Sequence, residues 1–234
     1  MALHPRAVMN SWKPDETLNT NLPFMYDEVT PLVRAALELR YRFLPYLYAL
    51  TYQTHNTGHP IIRPLFYDYS DADCFVDQDT FLLGSDVLVA PSTEENQQTH
   101  RLYLPEVSGG WIGFHNDKTY TGGQWVEIDA ALDLLPLFIR SGSIIPLAQR
   151  WDMATPHNAT ALEVSVYPSI GSGQEKFSLL LDDGESLGME HNLVEINLQW
   201  DMDSVVVATM GSTDIPLTVH CPTLGQRQLT VALS

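Results

Sequence analysis

Leu32, Ala35, Ala36, Leu39, Phe43, Leu47 and Leu50 recur at helical spacing, and the chain that follows Gly58 is dominated by short apolar runs and turn signals. Such a chain joins one long helical segment to a body of strands. Thr30 is the expected N-cap, with Pro31 in the first turn, where its missing N–H costs nothing. Glu38 and Arg42 stand one turn apart on the polar side and are expected to pair. Pro45 predicts a kink and Gly58 a stop. Residues 1 to 26, with Pro5, Pro14 and Pro23, read as loop.

After the helix, Ile61 to Phe66 forms a short apolar run between breakers and reads as a buried strand. Helix followed by buried strand suits a unit of an α/β barrel. A short helix is expected within residues 75 to 85. From Asp86 the texture changes. Asp86–Pro91, Arg101–Pro105, Trp125–Ile128 and the two segments on either side of Ser141-Gly142-Ser143 are strand-like, and glycine and Asn-Asp turn signals separate them. Trp151 to Asn158 reads as a linker. Leu162–Tyr167, Phe177–Leu181, Val194–Trp200, Val205–Thr209, Leu217–Cys221 and Leu229–Leu233 then resume the pattern of an antiparallel sandwich.

Composition narrows the partners. The 234 residues allow one large domain or two smaller ones, and the net charge of −17 repels phosphate backbones and anionic lipid. Neither nucleic acid nor membrane is an expected partner. No run approaches the ~20 apolar residues of a membrane span, and the opening MALHPRAVMNSWK has no apolar core of the secretory type, so a cytoplasmic location is expected. Cys74 and Cys221 are read as two buried free thiols. His55 and His59 are separated by Gly58 and followed by Pro60, which breaks any helix that would align them; no metal and no cofactor is expected.

Five segments resemble glycoside hydrolase family 31, in that family's order. Arg40-Tyr41-Arg42-Phe43-Leu44-Pro45-Tyr46-Leu47-Tyr48 is similar to its RYxxLPYLY helix. Gly58-His59-Pro60-Ile61-Ile62-Arg63-Pro64-Leu65-Phe66 is similar to its GxPxxRPLF strand. Residues 79–91, DTFLLGSDVLVAP, resemble its DQFLLGxxLLVAP segment. Residues 136–146, PLFIRSGSIIP, resemble its PVFVRAGSIIP segment, and Leu181 to Ser186 matches its YxDDGES turn. The resemblance covers about residues 1 to 190.

The resemblance implies a mainly β chain, with C-terminal β-sandwich domains preceded by the last helix and strand elements of a (β/α)8 TIM barrel. Residues 1–84 would be the C-terminal remnant of the catalytic barrel, 86–150 the proximal sandwich and 151–234 the distal one. It also implies hydrolysis of terminal α-linked sugars with retention of configuration, by two carboxylates about 5 Å apart. The family's nucleophile motif, WxDMNE, is absent from this sequence, and 84 residues are too few for a barrel of over ~200. No residue of this chain is therefore expected to be catalytic, and the rest of the barrel is an expected partner alongside an α-linked oligosaccharide or glycoside. A barrel remnant also exposes apolar surface, from which self-association is expected. Where the family carries a sugar-contacting histidine, the register places Asn10; Arg6 and Trp12 flank it as further substrate-binding candidates. A non-catalytic carbohydrate-binding or scaffold sandwich is the alternative, and the long helix argues against it.

Other residues read as structural. Asp182 and Asp183 are adjacent, so on extended backbone they point to opposite faces and lead into a turn at Gly184. Arg63 is expected to pair with a structural carboxylate. Trp111, Phe114, Tyr120 and Trp125 are expected in sandwich core. Asp68, Asp71, Asp73, Asp77 and Asp79 lack the offsets of a calcium loop and read as a solvated loop.

Overall fold

The computed structural model describes residues 2–5, 26–92, 97–129, 131, 133–151, 159–182, 193–211 and 213–233. The helical segment is two helices, α1 (Thr30–Arg42) and α2 (Leu44–Thr57), broken at Phe43. The break lies two residues before Pro45, which falls in the first turn of α2, where its lack of an N–H removes no bond. Gly58 ends α2 in the left-handed region at φ 75°, as its lack of a Cβ allows. Thr30 is not the cap. Val29 precedes the helix, and the Thr30 hydroxyl turns back to donate to the Tyr26 carbonyl at 2.8 Å. Arg42 does not meet Glu38; it reaches Glu163 at 3.4 Å and lies over the Phe114 ring.

Fifteen strands follow among the described residues. The first eight are β1 (Ile62–Pro64), β2 (Phe81–Leu83), β3 (Val87–Val89), β4 (Thr99–Leu104), β5 (Trp111–Gly113), β6 (Thr119–Tyr120), β7 (Gln124–Asp129) and β8 (Leu137–Arg140). A four-residue helix, α3 (Leu65–Asp68), and a 3-10 turn (Ala72–Phe75) separate β1 from β2. The last seven are β9 (Ser143–Trp151), β10 (Ala159–Tyr167), β11 (Gly173–Leu180), β12 (Leu193–Trp200), β13 (Ser204–Met210), β14 (Leu217–His220) and β15 (Gln228–Ala232).

A six-stranded sheet of order β1-β2-β3-β8-β5-β6 is the middle layer, and all its pairings are antiparallel. Successive residues alternate between two cores, as the pleat requires. Leu82, Leu88, Trp111 and Phe138 face the β4–β7 ribbon, and Leu83, Val87, Val89, Ile112, Leu137 and Ile139 face the helices and the rear of the molecule. Burial on both faces explains why these runs read as continuously apolar. Behind them a three-stranded sheet, β14-β10-β9, and a four-stranded sheet, β11-β12-β13-β15, enclose Ile144, Leu147, Leu162, Val164, Phe177, Leu179, Ile196 and Val207. The pairs β10–β14 and β13–β15 are parallel.

One further expectation changes: the helix expected within 75–85 is instead a 3-10 turn ending at Phe75, then strand β2. Within Ile61–Phe66, Ile62–Pro64 is extended and pairs antiparallel with β2 before the chain coils into α3. Positions 84–86 lie in the turn between β2 and β3, and 150/151 lies at the end of β9, which pairs with β10.

Burial fixes the alkaline behaviour of the fold. It pushes the Tyr103 phenol up to about 12 and the Cys74 and Cys221 thiols up to about 11, and it raises Tyr46, Tyr69 and Tyr167 as well. The ordinary values are 9.0 for cysteine and 10.0 for tyrosine. Above pH ~9 the unfolded chain therefore holds fewer of these protons than the native one, and stability falls as pH rises. The thermal midpoint, followed by circular dichroism, is expected to decline progressively between pH ~9 and ~12; a flat profile there contradicts the burial of these groups.

Candidate functional site

The candidate site begins at the chain segment that leads into Arg6, Asn10 and Trp12. Those three residues lie outside the described residues. What precedes them is fixed. Ala2 and Leu3 are buried in the rear core. Arg40, in the last turn of α1, sends its guanidinium back along the helix to the same segment. Its Nη1 donates to the carbonyl oxygens of Ala2 (3.3 Å) and His4, and its Nη2 to that of Pro5 (3.0 Å). A planar fork with several N–H donors suits three carbonyls arrayed on one loop, and a charged donor strengthens each bond. Arg40 thus ties residues 2–5 to the end of α1.

Beside this clamp lies a cleft of about 830 Å³ between α1 and the loops that follow β3 and β5 and precede β8. Leu32, Ala36 and Leu39 form one wall and Leu134 and Leu135 the other, with Ala2 at the clamped segment. Among the described residues no side chain of α1 is fully buried, whereas α2 buries Pro45, Tyr46, Leu47, Ala49 and Leu50. The Tyr46 hydroxyl donates to the Leu83 carbonyl at 2.9 Å inside the core. The polar groups at the cleft are Glu38, Arg42, Ser92, Gln97, Gln98, His115 and Asp133. The His115 Nε2 donates to the Leu135 carbonyl at 2.9 Å, which fixes its tautomer.

The residues read as structural are used structurally. Arg63 is 9% exposed; it forks onto Asp68 at 3.0 and 3.2 Å and donates from Nε to the Pro60 carbonyl at 2.9 Å. Trp111 is fully buried and donates to the Pro105 carbonyl at 2.8 Å. Phe114, Tyr120 and Trp125 are half-buried against the two cores, with Arg101 covering the Trp125 face. The aspartates of residues 68–79 brace loops. Asp71 accepts from the Glu106 N–H (3.2 Å), and Asp77 accepts from the N–H groups of Thr80 (3.0 Å) and Tyr103 (2.8 Å). Asp182 accepts from the Tyr48 hydroxyl at 2.6 Å; Asp183 and Gly184 lie outside the described residues. Cys74 and Cys221 are free thiols, Cys74 buried and Cys221 half-buried. Among the described residues no group of three or more His, Cys, Asp or Glu side chains could hold a metal ion. N–H groups of Asp203 and Ser204 and the Ser204 hydroxyl hold the Asp201 carboxyl below its ordinary value, the opposite of what a general acid requires.

Sequence reasoning missed two arginines. Arg40 was legible only as a letter of the helix motif. Arg140, at the end of β8, bonds Asp86 and reaches Glu175 on β11. An arginine two residues before a glycine turn, with apolar strand behind it, was the available signal.

Residues 58–145 match the glycosyl hydrolase family 31 C-terminal domain. That range opens at the Gly58 helix stop and contains the whole six-stranded sheet. The chain is 36% identical over 180 residues to a neutral α-glucosidase C of Mus musculus, covering 75% of this chain and 20% of that protein. It is 32% identical to an α-glucosidase 2 of Bacillus thermoamyloliquefaciens, covering 76% and 23%. Among solved structures it resembles a Flavobacterium johnsoniae GH31 dextranase complexed with glucose, at 33% identity and a TM-score of 0.70, covering 80% of this chain and 24% of that one. The chain thus spans between a fifth and a quarter of the length of these relatives. Its residues 58–145 are similar to the C-terminal domain of glycoside hydrolase family 31.

Proposed function

We propose that this chain is the C-terminal part of a retaining α-glycosidase that hydrolyses terminal α-linked sugars, and that the carboxylates that break the bond lie outside these residues. The observation that carries the reading is α1. It is a 13-residue helix none of whose side chains is fully buried among the described residues; Ala36 and Leu39 only partly pack against the core, and Leu32, Ala36 and Leu39 line the cleft. A helix of that kind is built to receive another layer. The relatives named as α-glucosidases supply the reaction class. In the intact enzyme one carboxylate would attack the anomeric carbon and the other would protonate the leaving oxygen.

This chain's own contribution is to complete one wall of the sugar pocket. Arg40 holds residues 2–5, and the amide of Asn10, later in the sequence, is of a kind that both donates to and accepts from sugar hydroxyls. Arg6 and Trp12 flank it. A free-standing carbohydrate-binding sandwich has no use for α1 or for the cleft beside it. The test is direct: the isolated chain is expected to release no p-nitrophenol from p-nitrophenyl α-glucosides or α-xylosides. Turnover abolished by Asp182→Asn or Glu38→Gln would sink the reading.

A further inference from the structure

We draw no further inference here: the strongest candidate, the shallow surface at the end of the four-stranded sheet where Ser172, Gln174, Gln199 and Trp200 surround Asp201, carries nothing, because the Asp201 carboxylate is already bonded to Asp203 and Ser204, the Trp200 indole nitrogen is buried, and nothing in the structure shows what covers that surface.

Discussion

Replacing Arg140 with methionine is expected to lower the unfolding free energy by about 3–5 kcal/mol. Its Nε and Nη2 both bond Asp86 Oδ1, at 2.8 and 2.7 Å, and Nη2 also reaches Glu175 Oε2 at 3.2 Å. Burial works against the guanidinium charge, but the two carboxylates outweigh it and hold the group above its ordinary value. Asp86 is only 8% exposed, and its other close donor is the Ser85 hydroxyl at 3.1 Å. Without the arginine a carboxylate stays nearly dry with one weak partner, which costs far more than an intact pair contributes. The comparison that separates these effects is the double variant Arg140→Met/Asp86→Leu, which removes both charges and is expected to recover most of the loss. Urea unfolding measures both. A single variant within 1 kcal/mol of wild type, as is usual for exposed pairs at roughly 0–1 kcal/mol, would show that water reaches Asp86.

Arg40→Ala acts on the opposite end of the chain. Three carbonyl oxygens lose a charged donor at once, and the acceptors lie at the rim of the rear core. Hydrogen bonds to charged groups contribute about 1.5–3 kcal/mol each. Because the three share one guanidinium and the carbonyls regain water on release, about 2–3 kcal/mol of local stability is the expected loss. This is on the order of a hundredfold in the opening of residues 2–5. Hydrogen exchange followed by mass spectrometry should show faster labelling at the N-terminal segment and unchanged labelling in β10 to β13. Arg40→Lys places a compact charge where a fork is needed and should recover only part of the protection. Equal loosening across the sandwich would mean that Arg40 supports the fold as a whole and does not specifically hold the segment leading to Asn10.

The strands from Arg101 onward were legible because their signal is local. β12 alternates Val194, Ile196 and Leu198 inward with half-exposed neighbours, and the turn at Ser141-Gly142-Ser143 carries Gly142 at φ 85°. Partnership was not legible. β1 and β2 are three residues long, too short for an alternation that would show which strands they pair with. That β14 and β15 join in parallel depends on contacts with strands well back in the sequence. Arg40 was visible as a residue but not as a clamp, because its acceptors are main-chain carbonyls, which any residue supplies. Phe66 and Phe75 read as apolar, and only the burial of Leu65 and Cys74 beside them shows which way they face.

The hydrophobic interior that runs unbroken from Phe43 and Tyr46 through Leu83 and Ile139 to Val166 and Leu198 has an evolutionary consequence. Exchanging the front or the rear of this molecule alone is expected to disturb that shared interior. A recombination point placed at either apparent module border would leave each parent's half with an unmatched internal surface, so lineages carrying this arrangement are expected to inherit helices, middle layer and rear sandwich as one block.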